Sequence, residues 1–203
     1  AGHSAGAIFH APLIQLLTEQ GKITSGPLKG KKGYGLKVSS CTLWAPACTI
    51  ELFKQTYMPA IQNGGIGRFA LFTLTDNAEQ DDHCASIYHK SLLYLVSNAF
   101  EEKPRIPLFR EGEAILGMEK FIRDDQDIMK HIGTKKFQWV LSPNNADTGS
   151  PDHSTSKSHG DFDDDRATLH ATLARILQET KVEVTFAIHR SASSLRNRRH
   201  RLM

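Results

Sequence analysis

The stretch Arg68 to Thr75, RFALFTLT, constrains the fold more than any other part of the chain. It is apolar and β-favouring almost without a break, and a strand with no polar alternate face is stable only where both faces are covered. Such a strand belongs inside a parallel sheet with helices on either side. Two more β-rich runs occur, KVSSCTLWAPA from Lys37 to Ala47, which Pro46 stops, and KFQWVL from Lys136 to Leu141. The pattern predicts Val38 to Trp44, Arg68 to Thr75 and Lys136 to Leu141 as neighbouring parallel strands.

Helical patterns alternate with these runs. Ala5 to Gln20 keeps apolar residues near helical spacing, with Gly21 as the expected stop and Pro12 as the expected kink. Thr49 to Asn63 suits a short helix, His83 to Phe100 is the clearest helix, and Ala114 to Lys130 carries one or two short ones. Asp163, Asp164 and Asp165 favour a helix start by complementing its dipole, ahead of the helix Thr168 to Thr180. Residues 21–37 hold five glycines and five lysines and read as a mobile surface loop, in no register of which the phosphate-binding P-loop fits. Pro104 and Pro107 bound another loop, and Ser142 to Gly160 is a third, long and polar. A loop of that length inside a compact domain is functional or disordered. The alternation is the order of an α/β fold with a doubly wound, mostly parallel sheet.

At 203 residues the chain is long enough for one domain with a core of its own. The expected boundaries are a domain over 1–182 and a basic tail over 183–203. No acid follows Glu183, whereas Arg190, Arg196, Arg198, Arg199 and Arg201 do. Without those five, 20 basic residues face 22 acidic ones, so the body is near neutral and offers nucleic acid no footprint. Three cysteines, Cys41, Cys48 and Cys84, form no CxxC pair and suggest neither a disulfide framework nor a zinc site; they favour a reducing compartment such as the cytoplasm. His83, Cys84 and His89 do not fall on one helical face, so no metal is expected there. No run of 18 apolar residues exists, so no membrane-spanning helix is expected.

The chemistry sits at the start. Gly2-His3-Ser4-Ala5-Gly6 is a G-x-S-x-G sequence with a helical pattern directly behind it. In a nucleophile elbow the chain turns so sharply from strand to helix that the serine takes a strained backbone conformation, and small residues two before and two after avoid collision. The turn lifts Ser4 Oγ clear of the sheet, and the Ala5 N–H points to where an oxyanion would form. Downstream, Asp76 stands at the carboxyl end of a strand and His159 in the long loop after the next one. Catalytic groups of open α/β sheets gather outside the carboxyl ends of the strands. Glu79, Asp81 and Asp82 read as first-turn acids of the following helix, His153 as a solvent residue, and His3 as packing, because neighbouring side chains diverge at an elbow.

On these residues the chain resembles the α/β-hydrolase fold superfamily, specifically its C-terminal portion beginning at the nucleophile elbow. The resemblance covers the chain to about Thr180. In that family the order is serine, then an acid after the second strand beyond the elbow, then histidine after the last strand; Ser4, Asp76 and His159 match one by one. Only Ala1 and Gly2 precede the motif serine's neighbour, so the reading expects a fragment lacking its N-terminal strands and the second oxyanion donor. The resemblance implies a serine hydrolase of the carboxylic ester type acting on a small acyl substrate through a Ser-Asp-His triad, with Ala5 in the oxyanion hole and neither metal nor organic cofactor. The alternatives are a non-catalytic binding or scaffold protein on the same fold, or an inactive fragment.

Overall fold

The structure, a computed structural model, describes residues 1–82, 91–100 and 112–182. Strand β1 (Gly2–His3) leads into helix α1 (Gly6–Thr18), followed by β2 (Gln20–Lys22) and β3 (Lys32–Tyr34). Then come β4 (Cys41–Trp44), α2 (Ile50–Gln62), β5 (Phe69–Leu74) and α3 (Asp76–Asp81). Helix α4 (Leu92–Leu95) runs into a π-helical turn over Val96–Phe100. The chain continues through α5 (Glu119–Asp124), α6 (Gln126–His131), β6 (Phe137–Ser142) and α7 (Arg166–Leu177).

Strands β1, β4, β5 and β6 form one sheet in that order, every neighbouring pair parallel. The three strands expected from the sequence are therefore adjacent and parallel, with an isolated parallel bridge from Val38 to Ile66 extending the β4–β5 pairing. All six residues of β5 are buried, as its unbroken apolar composition requires. Its side chains alternate between two cores. Phe69 and Leu71 pack with Ala7, Ala11 and Ile14 of α1 and with Phe53 and Tyr57 of α2. Ala70, Phe72 and Leu74 pack with Leu93 and Tyr94 of α4 and Ala171 of α7. Flanking helices thus cover both faces of a parallel sheet.

Capping residues explain where two of the helices begin. The Thr49 hydroxyl accepts from the Leu52 N–H at 3.1 Å and starts α2 one residue inside the expected segment. Of the three aspartates before α7, Asp165 is the cap, accepting from the N–H groups of Ala167 and Thr168.

Three expectations need correction. The glycine-rich segment 21–37 is not a bare loop: β2 and β3 pair antiparallel, with Gly21 opposite Gly33 and Ile23 only 2% exposed. Ile23, at the loop end of the hairpin, extends the pairing: its N–H donates to the Lys31 carbonyl at 2.9 Å and its carbonyl accepts from the Gly30 N–H at 2.8 Å. Gly21 consequently does not stop α1; it lies in β2 with φ of 90°, and the helix ends at Thr18 as Glu19 turns extended. A strand also does precede the serine: Gly2 and His3 pair with Leu43 and Trp44. Helix α1 runs through Pro12. The first half of the expected helix His83 to Phe100, with the metal-like trio His83, Cys84 and His89, lies outside the described residues, as do Pro104, Pro107 and the tail 183–203.

Candidate active site

Parallel strands in register bring their carboxyl ends to one edge of the sheet. Ser4 follows β1, Asp76 follows β5 by two residues, and His159 lies in the segment after β6. The topology therefore delivers all three expected site residues to the same edge.

At that edge Ser4 has φ of 52°, the left-handed region that non-glycine residues rarely adopt. Both of its peptide groups are tied down. The Ser4 N–H donates to the Trp44 carbonyl at 3.0 Å, and its own carbonyl accepts from the N–H groups of Ala7 and Ala47, each at 3.1 Å. The turn is thus held by β4 and the segment behind it as well as by α1. Gly2 is in a tight place, since a Cβ there would lie 2.7 Å from His10 Nδ1 and that ring would have to shift. Gly6 is not: a Cβ at that position meets open space, so the second glycine of the motif is free of the expected collision. Ala5 is the exposed residue before α1, and its N–H donates to no other group among the described residues.

His159 is 6% exposed, and its imidazole lies tilted beside that of His3, ring centroids 5.2 Å apart and 31° between planes. Burial, with a smaller contribution from His3, lowers its pKa to about 3, so the ring is neutral and has a free lone pair at physiological pH. The loop behind it is well knit. Asn144 Nδ2 donates to the carbonyls of Leu141 and Asp152; the Ser154 hydroxyl meets those of Ser142 and Thr168; Asp165 accepts from the Thr155 N–H and hydroxyl. Asp161 Oδ2 accepts from the N–H groups of Lys157 and Ser158. The polar composition of this loop, read from sequence as functional or disordered, is spent on internal hydrogen bonds. His153 is half-buried rather than in solvent.

Asp76 opens α3, capped by the Thr75 hydroxyl, and its N–H donates to Glu119 Oε2 at 2.7 Å. Burial raises its pKa, and the nearby Glu119 carboxylate adds to the shift. Asp76 Oδ1 is buried without a hydrogen-bond partner, and so are both ring nitrogens of His159. The expected hydrogen bonds from the imidazole to Ser4 and to Asp76 are thus not made in this structure.

Two contacts at His159 escaped sequence reasoning. Asp82 Oδ2 accepts from its backbone N–H at 2.8 Å, and His3 Nε2 donates to its carbonyl, also at 2.8 Å. Asp82 reads in sequence as one of several helix-start acids and His3 as packing, because spacing along the chain carries no information about a loop arriving 77 or 156 residues later. His3 does pack, lying also near Trp44 and Phe162. Among the described residues no three His, Cys, Asp or Glu side chains gather as a metal ion needs, and no helix is long and apolar enough to cross a membrane. No protein-family model, curated protein or solved structure matches this chain.

Proposed function

We propose that the chain is a serine hydrolase of the α/β-hydrolase type, with a doubly wound sheet, acting on an ester or related small acyl substrate. The observation that carries this reading is the conformation of Ser4. A left-handed serine costs about 1–2 kcal/mol, and structures keep such strain where function needs the side chain displayed. Here it stands between a strand and a 13-residue helix, inside a G-x-S-x-G sequence, with the loop of a neutral histidine packed on the residue before it.

In the proposed reaction Ser4 Oγ attacks the substrate carbonyl while His159 takes its proton. The Ala5 N–H receives the developing oxyanion, and Asp76 steadies the imidazolium. The leaving alcohol collects the proton from His159, and water repeats the sequence to free the acid. The buried oxygen of Asp76 and the buried nitrogens of His159 are left without partners, and orphans of this kind cost about 1–3 kcal/mol each. The proposed reaction requires the imidazole to turn toward Asp76 and Ser4, and these unpaired atoms at one sheet edge are what support their assignment as partners. The same unmade bonds favour, as second reading, a non-catalytic binding protein on this fold.

A fluorophosphonate probe separates the two. The folded wild-type chain should be labelled at Ser4, as located by peptide mass spectrometry, and Ser4→Ala should take no label. Folded wild-type protein that stays unlabelled, or a Ser4→Ala variant labelled equally well, would assign the fold to binding.

A further inference from the structure

The backbone of His159 is held from both sides by residues far away in sequence. Its N–H, part of the peptide plane before the residue, is accepted by Asp82 at the end of α3. Its C=O, part of the plane after it, receives the Nε2–H of His3 from the last position of β1. A carbonyl only accepts, so His3 carries its proton on Nε2. Fixing the two planes that flank a residue fixes its φ and ψ, and hence the direction of its Cα–Cβ bond. The next residue, Gly160, is exposed and has no neighbour within 4 Å of where a Cβ would stand, so local packing would not aim the histidine by itself.

We propose that His3 and Asp82 are positioning residues, a two-point clamp that aims the His159 side chain at the elbow. The inference rests on the serine-hydrolase reading for its consequence, though the clamp itself is a property of the backbone. His3 is suited to the task because it precedes Ser4 directly: whatever holds His159 to His3 holds the proposed base to the proposed nucleophile. It also supplies the ring beside which the imidazole lies. Asp82 links the same histidine to the segment following β5, so the three chain segments that reach this edge meet at one residue. The aspartate is charge-assisted as an acceptor, which makes it the stronger of the two tethers.

The test uses His3→Phe and Asp82→Ala, which remove the tethers, and His3→Gln and Asp82→Asn, which keep a donor and an acceptor at those positions. Hydrogen exchange of peptides covering 153–162 reads the clamp without reference to activity. Exchange there should rise about tenfold or more in His3→Phe and Asp82→Ala, with the rest of the chain unchanged, and stay near wild type in the conservative pair. Labelling of Ser4 by the fluorophosphonate should slow roughly tenfold to a hundredfold in the first pair only, the penalty of a misplaced base. Its acid limb should move up toward the ordinary imidazole value of about 6.5 as the ring gains access to water. Unchanged exchange over 153–162 in both disruptive variants overturns the clamp, whatever happens to labelling. Equal damage from the conservative and disruptive variants also overturns it. Absence of label on wild type would remove the hydrolase reading, with the exchange data still deciding the clamp; normal labelling in variants whose loop exchanges freely would show that aiming is not its role. Should His3→Phe fail to fold, Asp82→Ala, on the far tether, decides alone.

Discussion

A single residue, Ser4, has both its backbone strain and its proposed chemistry in view, and the two can be separated by substitution. Glycine adopts a φ of 52° without the penalty that a Cβ imposes, at the cost of a more flexible unfolded chain. Ser4→Gly should therefore be more stable than Ser4→Ala by about 0.5–1 kcal/mol, raising the melting temperature by about 1–4 °C, while both abolish labelling. Two buried titratable groups make the stability depend on pH in opposite directions. His159 is held down to about 3 in the native state against 6.5 in the unfolded chain, so between those values the unfolded chain binds more protons and stability falls as the solution is acidified. Glu79, fully buried and receiving a hydrogen bond from the Ser91 hydroxyl, is pushed up to about 8 from 4.5, so stability falls as pH rises through that window. Each slope is about 1.4 kcal/mol per pH unit at most. Chemical denaturation across pH should show His159→Gln flattening the acid side and Glu79→Gln flattening the alkaline side.

Among the elements, α7 and the loop before it share one support. Asp165 caps the helix and also accepts from the Thr155 N–H, from the Thr155 and Thr168 hydroxyls and from the Ser156 hydroxyl. Burial pushes its pKa up, but those donors outweigh burial and leave it below the usual carboxylate value. Asp165→Ala should cost about 2–3 kcal/mol by denaturant titration, a lost cap plus charged hydrogen bonds, and faster exchange should appear over 153–162 as well as at the helix start. Strands β4, β5 and β6 and helices α2, α5, α6 and α7 were legible in sequence from local signals such as an unbroken apolar run, a capping residue or a proline stop. The hairpin β2–β3 was not, since the burial of Ile23 beside β2 is set by the fold and not announced by neighbours that read as solvent-facing. Of the candidate site only the placement was legible, since neither expected hydrogen bond of the His159 ring is made. The G-x-S-x-G sequence marked the strained turn at Ser4, and parallel order put Asp76 and His159 at the same sheet edge. Which acid meets His159, and through backbone rather than ring, depends on side-chain directions set by the arrival of distant loops.

At the scale of the whole molecule the two cores meet through the sheet, and on one face Trp44 Nε1 of β4 donates to the Thr172 hydroxyl of α7 at 3.1 Å. The parallel order that gathers the site at one edge also dictates how the sheet can assemble. Gly2 pairs with Leu43, Cys41 with Phe69, and Phe69 with Phe137, so the nearest partners are 28 residues apart and the most distant 68. No strand of the sheet can zip against its neighbour through a tight turn, and each pairing must first close a loop at an entropic cost that grows with its length. Refolding should accordingly begin with β4 on β5 and finish with β6. In pulsed hydrogen exchange, amides of Cys41 to Trp44 are expected to be protected before those of Phe137 to Ser142, and the histidine loop that β6 carries would be the last part of the edge to arrive.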